Sequence, residues 1–174
     1  MRMDDVRKVL VVGAGTMGHG IAQVFAQAGY QVSLFSRSRK TLDRAFALIK
    51  ANLDTLAEEE LLQRSQIPAI LSRISATQSL EEGAHDADIV LETVVEDMKV
   101  KKEIFARLDA YCPARAVLAS NTTFLNIFDS IETSRPDKIL LCHWYAPPQI
   151  IPLVDVVKGP QTDKANVELV ASIL

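Results

Sequence analysis

Two polar residues late in the chain have the types and spacing of a general acid–base pair. His143 and Asp155 lie twelve residues apart, each beside an apolar run. A carboxylate next to an imidazole fixes its tautomer and stabilises the imidazolium, so the other ring nitrogen can take a proton from an alcohol. Thr123, which follows an earlier apolar run, can hydrogen-bond the same oxygen. A structural histidine with a solvated carboxylate explains the two residues equally well.

A glycine-rich turn indicates where a hydride acceptor would bind. It follows the apolar run 8–12, precedes a segment of helical periodicity, and consists of Gly13, Ala14, Gly15, Thr16, Met17 and Gly18. This Gly-x-Gly-x-x-Gly spacing between a strand and a helix predicts a dinucleotide site, in which the glycines allow the turn, the approach of a pyrophosphate and close packing of the helix. The helix N-terminus adds partial positive charge. The alternative is a tight turn without a ligand.

The residues after the second predicted strand bear on which dinucleotide binds. An acidic side chain there would bind the ribose 2′-hydroxyl. This chain has Ser36 and Arg37 instead, followed by Arg39 and Lys40. A hydroxyl and several cations suit a 2′-phosphate, so we expect the site to accept NADP as well as NAD. A solvated basic surface before the next helix is the other explanation.

Apolar runs and their periodicity predict the elements that position these residues. Strands are expected at 8–12, 31–35, 74–77, 88–94, 116–120, 138–142 and 151–157. Helices are expected at 16–28, 41–56, 65–74, 80–85, 96–108, 125–131 and from 163 onward. The alternation predicts an α/β, Rossmann-type doubly wound, mostly parallel sheet. The helices between 41 and 74 exceed what a crossover needs, and they predict a projecting helical hairpin.

Ligands of such folds bind at the carboxyl ends of the strands. Asn121 and Thr123, then His143, then Asp155 are expected at that edge.

Composition narrows the class of protein. The 174 residues are 48% apolar with a net charge of −3, which fits one domain and argues against nucleic acid and anionic membranes as partners. Two cysteines without metal-ligand spacing, and no signal peptide or membrane-length apolar run, predict a metal-free cytoplasmic protein. The last predicted helix lacks a stop signal. We therefore expect residues 1–174 to be a single dinucleotide-binding domain of a longer protein.

Five segments, in this order and spacing, resemble the NAD-binding domain of the L-3-hydroxyacyl-CoA dehydrogenase family. They are residues 13–22, 92–97, 119–123, 142–147 and 153–157. The resemblance implies that His143 is the catalytic acid/base and Asp155 its carboxylate partner. It places Thr123 at the position of a substrate-contacting serine, and Glu96, Lys101 and Asn121 at cofactor or substrate positions.

The resemblance also implies a function and a missing part. The cofactor would be NAD, and the reaction the reversible oxidation of the 3-hydroxyl of a 3-hydroxyacyl-CoA to the 3-ketone, as in fatty acid metabolism. The helical hairpin would contact the CoA. The family's all-helical C-terminal domain, which supplies dimer contacts and part of the substrate cleft, is absent from this chain. We therefore expect a homodimeric complete protein, and a 174-residue chain that binds dinucleotide but turns over substrate poorly.

Three positions depart from the family. Members usually carry aspartate at the position of Ser36, glutamate at that of Asp155 and asparagine at that of Ala146. The shorter Asp155 is expected to need a local shift or a water to reach His143. These changes leave two alternatives: a dehydrogenase of a non-CoA 3-hydroxy acid, of the carnitine or sugar-acid type, and a nucleotide-binding module without catalysis.

Overall fold

A seven-stranded sheet forms the centre of the computed structural model, which describes residues 2–174. Its spatial order is β3-β2-β1-β4-β5-β6-β7, and every neighbouring pair is parallel except β6 and β7. The strands are β1 (Lys8–Val12), β2 (Gln31–Phe35), β3 (Ile74–Thr77), β4 (Ile89–Glu92), β5 (Val117–Ser120), β6 (Ile139–Trp144) and β7 (Val154–Lys158). The order reverses between β1 and β4, which confirms the doubly wound, mostly parallel sheet.

Helices cover both faces of the sheet. They are α1 (Gly18–Gln27), α2 (Arg39–Glu58), α3 (Ile67–Ser72), α4 (Leu80–Ala84), α5 (Met98–Tyr111) and α6 (Lys164–Ile173). Successive side chains of a strand point to opposite faces, so a doubly covered strand is apolar throughout. In β1, Val9 and Val11 join the core beneath α1, whereas Leu10 and Val12 join the core beneath α4 and α5. Among residues 2–174 we find no helix with the length and apolarity to cross a bilayer.

The predicted hairpin corresponds to α2 and α3, and it packs on the domain more closely than expected. Ser38 caps the N-terminus of α2, since its Oγ accepts a hydrogen bond from the backbone N–H of Thr41. Both helices contact α1. Buried residues of both also belong to the core, among them Leu53 and Ile70. The helix expected from residue 65 begins later, at Ile67, because residues Arg64–Gln66 form a 3-10 turn.

Two further predictions of secondary structure are wrong. Residues 125–131 form no helix, and a turn covers only 128–130. The Asn126 side chain accepts from the Phe128 N–H and donates to the Asp129 carboxylate, and these bonds compete with helical hydrogen bonds. The last strand begins at Val154, after Pro152, which has no N–H to pair. It also runs antiparallel to β6. Asp155 therefore lies near the start of its strand and not at the carboxyl end, and it reaches the predicted edge because the strand direction reverses.

Candidate active site

The glycine turn connects β1 to α1 and leaves room for an anion. Gly13 has φ +109°, and a side chain at Gly18 would place its Cβ 1.7 Å from the Gly13 carbonyl oxygen. Thr93 holds the turn by donating its hydroxyl to the carbonyls of Val12 and Gly13, at 3.1 and 3.0 Å. A Cβ at Gly15, by contrast, would have no heavy atom within 4 Å. The open backbone at Gly15 next to the N-terminus of α1 therefore fits a pyrophosphate.

A cleft of about 330 Å³ lies between the glycine turn and α2. Lys40 and Arg44 of α2 line one side of it, and Gly15, Thr16 and His19 line the other. The Gly15 carbonyl can only accept, so His19 donates to it from Nδ1, at 2.9 Å. The cations closest to the turn therefore include Arg44, which the sequence did not single out.

Ser36 lies beside the glycine turn because the Gly13 N–H donates to the carbonyl of Phe35 at the end of β2. The Ser36 hydroxyl accepts a hydrogen bond from the Ser38 backbone, at 3.3 Å. The Arg37 side chain is exposed, and its backbone carbonyl accepts from Gln78. No carboxylate occupies the position after β2.

A buried ion pair lies at the end of β4. Lys101 of α5 donates to both carboxylate oxygens of Glu92, at 2.9 and 3.0 Å, and both side chains are almost fully buried. The Ser120 hydroxyl and the Val94 N–H complete the hydrogen bonding of Glu92, at 2.6 and 2.7 Å. Such a network satisfies every charge it buries and holds its members in one geometry.

Glu96 links this ion pair to the loop after β5. Its Oε2 lies 3.4 Å from Lys101 Nζ, and its Oε1 accepts hydrogen bonds from the Thr122 hydroxyl and, at 3.1 Å, from the Thr123 N–H. Burial alone raises the pKa of Glu96, but the Thr122 hydrogen bond, the charge of Lys101 and the Thr123 N–H outweigh it, so the pKa lies below its usual value. Glu96 is thus held ionised and holds the Thr123 backbone in place.

Asn121 joins the ends of β5 and β6. Its side-chain oxygen accepts a hydrogen bond from the Trp144 backbone N–H, at 2.8 Å. Its own backbone N–H donates to the carbonyl of Glu92. This contact brings the loop that carries Thr123 against the end of the strand that carries His143.

His143, Thr123 and Asp155 meet at the carboxyl end of β6. Thr123 Oγ1 lies 3.3 Å from His143 Nε2, and Asp155 Oδ2 lies 3.6 Å from Nδ1. His143 and Asp155 are register partners across β6 and β7. The Asp155 contact is longer than a hydrogen bond, as the shorter side chain led us to expect. Tyr145 donates its hydroxyl to the same Asp155 oxygen, at 2.8 Å.

The cysteine next to His143 does not take part as a nucleophile. Cys142 and Cys112 are both free and buried. Burial raises the pKa of Cys142 to about 12 and that of Cys112 to about 11, so both remain thiols at neutral pH. The described residues also contain no group of three or more His, Cys, Asp and Glu arranged to hold a metal ion.

The structure therefore brings the predicted residues together in two groups. Thr123, His143 and Asp155 surround one imidazole, with Asn121, Glu96 and Lys101 behind the loop that carries Thr123. The glycine turn and Ser36 form the second group. The sequence alone did not single out Glu92, Ser120, Thr93 and Tyr145 as functional residues. A charged residue ending an otherwise apolar strand was the available signal for Glu92, and the residue two positions after His143 was the signal for Tyr145.

Comparisons with known proteins point to one family. The sequence model described as "3-hydroxyacyl-CoA dehydrogenase, NAD binding domain" matches residues 8–174. The chain is 38% identical to a 3-hydroxybutyryl-CoA dehydrogenase of Clostridioides difficile over 164 residues, covering 94% of this chain and 58% of that protein. A second relative, the probable 3-hydroxybutyryl-CoA dehydrogenase of Bacillus subtilis (strain 168), is 35% identical over 92% of this chain and 56% of its own length. The chain thus spans a little over half the length of these curated relatives.

Solved structures agree with the sequence relatives. A 3-hydroxybutyryl-CoA dehydrogenase from Escherichia coli K12 superposes with a TM-score of 0.92 at 34% identity, covering 97% of this chain and 36% of that one.

Proposed function

The chain belongs to the NAD-binding domain family of the 3-hydroxyacyl-CoA dehydrogenases, and on that premise we propose that its complete protein interconverts a 3-hydroxyacyl-CoA and the 3-ketoacyl-CoA with NAD. The observation that carries the proposal is the placement of His143. Its two ring nitrogens face Thr123 and Asp155 at the edge of the sheet where the glycine turn also opens. The relatives named as 3-hydroxybutyryl-CoA dehydrogenases support the substrate class.

The residues divide the work of such a reaction between them. NAD, when bound, accepts the hydride from C3 of the substrate. His143 takes the hydroxyl proton at Nε2, the nitrogen on the Thr123 side. The Thr123 hydroxyl hydrogen-bonds the same substrate oxygen. Asp155, on the Nδ1 side, stabilises the imidazolium that forms. In the reverse direction the same nitrogen returns the proton to the ketone oxygen.

Cofactor contacts are assigned to the other group. Gly13, Ala14, Gly15, Thr16, Met17 and Gly18 would hold the pyrophosphate, supported by the open backbone at Gly15. Ser36 and Arg37 would face the adenosine ribose. Glu96, Lys101 and Asn121 would act on the nicotinamide side indirectly, because they fix the loop after β5; the buried side chain of Lys101 acts through Glu96 and not by touching the cofactor.

The activity is tested by a steady-state screen of the complete protein. The substrates are 3-hydroxybutyryl-CoA, longer 3-hydroxyacyl-CoAs and free 3-hydroxy acids, each with NAD. The proposal predicts oxidation of at least one CoA thioester. Oxidation of free acids alone would favour the second candidate, a non-CoA 3-hydroxy acid dehydrogenase. The departures from the family at Ala146 and Asp155 support that candidate. No oxidation at all would favour a nucleotide-binding module.

The 174-residue chain is expected to bind NADH but to turn over 3-hydroxyacyl-CoA poorly. This expectation follows from the lengths of the relatives, which extend beyond the matched region. Robust turnover by the chain alone would contradict it. Homodimerisation of the complete protein and a cytoplasmic location belong to the same proposal, the first from the family resemblance and the second from the two free cysteines.

We further propose that the domain accepts NADP beside NAD. Ser36 places no carboxylate against a 2′-phosphate, Lys40 and Arg44 line the cleft, and the exposed Arg37 follows Ser36 in the chain. Titration of both reduced cofactors tests this, with Ser36→Asp as the matched variant. The proposal predicts affinities within about tenfold of each other, a difference of about 1.4 kcal/mol, and a loss of NADP binding in Ser36→Asp. An NAD affinity far above that for NADP in the unmodified chain would refute it.

A further inference from the structure

One carboxylate oxygen beside His143 has two neighbours. Asp155 Oδ2 accepts a hydrogen bond of 2.8 Å from the Tyr145 hydroxyl, and the same atom lies 3.6 Å from His143 Nδ1. The rings of Tyr145 and His143 meet edge to face, with centroids 4.7 Å apart. The imidazole therefore contacts both members of the Tyr145–Asp155 hydrogen bond.

The strand geometry explains why these three side chains meet. His143 and Asp155 are opposed across the antiparallel pair β6 and β7. Tyr145 follows His143 by two residues, so a chain continuing in extended form returns its side chain to the same face. Asp155 reaches one methylene less far than the glutamate that members of the family usually carry there. Its oxygen stops short of His143 and lies within reach of the Tyr145 hydroxyl.

We propose that Tyr145 is a positioning residue that holds the Asp155 carboxylate out of direct contact with His143 and so lowers the affinity of His143 for a proton. The proposal rests on the function proposed above for His143. It assigns to Tyr145 the tuning of the base and no contact with substrate. An imidazole that is unprotonated at neutral pH is the form that alcohol oxidation requires.

The chemistry of the hydrogen bond supports this direction. A hydroxyl that donates to a carboxylate makes a short, charge-assisted hydrogen bond. It leaves that oxygen less able to accept a second hydrogen bond. The hydrogen bond to Asp155 raises the pKa of Tyr145, so the phenol stays a donor across neutral pH. The attraction between an imidazolium and a carboxylate falls with distance and with competing hydrogen bonds. Asp155 is thereby a weaker partner than a directly bonded carboxylate.

The charged surroundings of His143 are simple enough to test this. Asp155 on β7 and Tyr145 after β6 are titratable groups that contact the ring. From the loop after β5, Thr123 contacts Nε2, and Glu96 stands behind it through the Thr123 N–H. Glu96 is bonded to Thr122, Thr123 and Lys101, and its side chain does not take part in the Tyr145–Asp155 hydrogen bond.

An NMR titration of the three histidines in this chain, with and without Tyr145→Phe, tests the proposal. The chain contains His19, His85 and His143, and the first two serve as internal references. In Tyr145→Phe the Asp155 oxygen is released toward Nδ1, so the pKa of His143 should rise by roughly half a unit or more. Tyr111→Phe, on the last turn of α5, is the matched control and should leave the pKa of His143 unchanged.

A double variant separates tuning from a change in local structure. In an Asp155→Asn background, the Tyr145→Phe substitution should no longer raise the pKa of His143, because the carboxylate it releases is gone. A pKa that is unchanged or falls in the single variant would overturn the proposal, as would a rise that persists in the double variant. A rise in a protein that oxidises no 3-hydroxy substrate would instead defeat the proposed function and leave this inference standing.

Discussion

The charged groups beside Glu92 and those beside His143 are held in opposite ways. Glu92 and Lys101 have side chains 0% and 1% exposed and meet at 2.9 Å. His143 and Asp155 have side chains 22% and 51% exposed and stand 3.6 Å apart. Both pairs lie near the carboxyl ends of the parallel strands, on the two sides of the loop that carries Thr123.

The difference follows from what each pair does. A buried pair is fully bonded because a buried charge without a partner costs several kcal/mol, and its geometry is consequently rigid. Glu96 connects this pair to the loop after β5, because it contacts Lys101 and accepts a hydrogen bond from the Thr123 backbone. In the proposed reaction a proton enters and leaves His143, which requires access and a partner that can adjust. The site thus combines a rigid support with a more exposed imidazole that suits the proposed acid–base role.

The largest effect on stability is expected from breaking the buried Glu92–Lys101 pair. Lys101→Met leaves the Glu92 carboxylate buried without its cation, and should lower the free energy of unfolding by about 3–5 kcal/mol. Urea denaturation at neutral pH measures this. Lys102→Met, the exposed neighbour on α5, is the control and should change the stability by less than about 0.5 kcal/mol. A loss below about 1 kcal/mol for Lys101→Met would show that the pair is not a support.

An intermediate effect should appear at acid pH through Glu96. Its pKa is lower in the folded protein than its ordinary value of 4.5, so its ionised form stabilises the fold above that pH, and this stabilisation is lost as the pH falls through the lowered pKa. Glu96→Gln should therefore be less stable than the unmodified chain at neutral pH, and the gap should close below pH 4.5.

Thermal unfolding between pH 3 and pH 7 measures this gap. Glu103→Gln, on the exposed part of α5, should keep the pH dependence of the unmodified chain. A gap between Glu96→Gln and the unmodified chain that stays constant with pH would contradict the role given to Glu96.

The smallest effect on stability is expected at the more exposed His143–Asp155 pair. Asp155→Asn removes a half-exposed charge and should change the free energy of unfolding by no more than about 0.5 kcal/mol. The same substitution should lower the proton affinity of His143, which the histidine NMR titration reports. A loss of stability above about 2 kcal/mol would mean that Asp155 supports the fold as the buried Glu92–Lys101 pair does.

The features that the sequence predicted are those with local signals. The strand–turn–helix around Gly15 and the alternation of apolar strands with helices depend on neighbours in the chain, and both are confirmed. The helix expected at 125–131 fails because Asn126 makes hydrogen bonds that periodicity does not register. Asp155 was placed at the wrong end of its strand, because strand direction depends on pairing with β6.

The support behind the site required the structure. Glu92 pairs with Lys101 nine residues away and with Ser120 twenty-eight residues away. These residues come together only in the fold. The apolar composition of β4 gave no indication that its last residue, Glu92, is buried and paired. Tyr145 was similarly hidden, because its importance comes from the register of β7 against β6.

The acid–base role proposed for His143 is measured by kcat for oxidation of 3-hydroxybutyryl-CoA in the complete protein, with and without His143→Gln, together with the affinity for NADH. We predict that kcat falls by about 10²- to 10⁴-fold while NADH binds as before. A His143→Gln protein that keeps kcat within about tenfold of the unmodified enzyme would show that His143 is not the acid–base group.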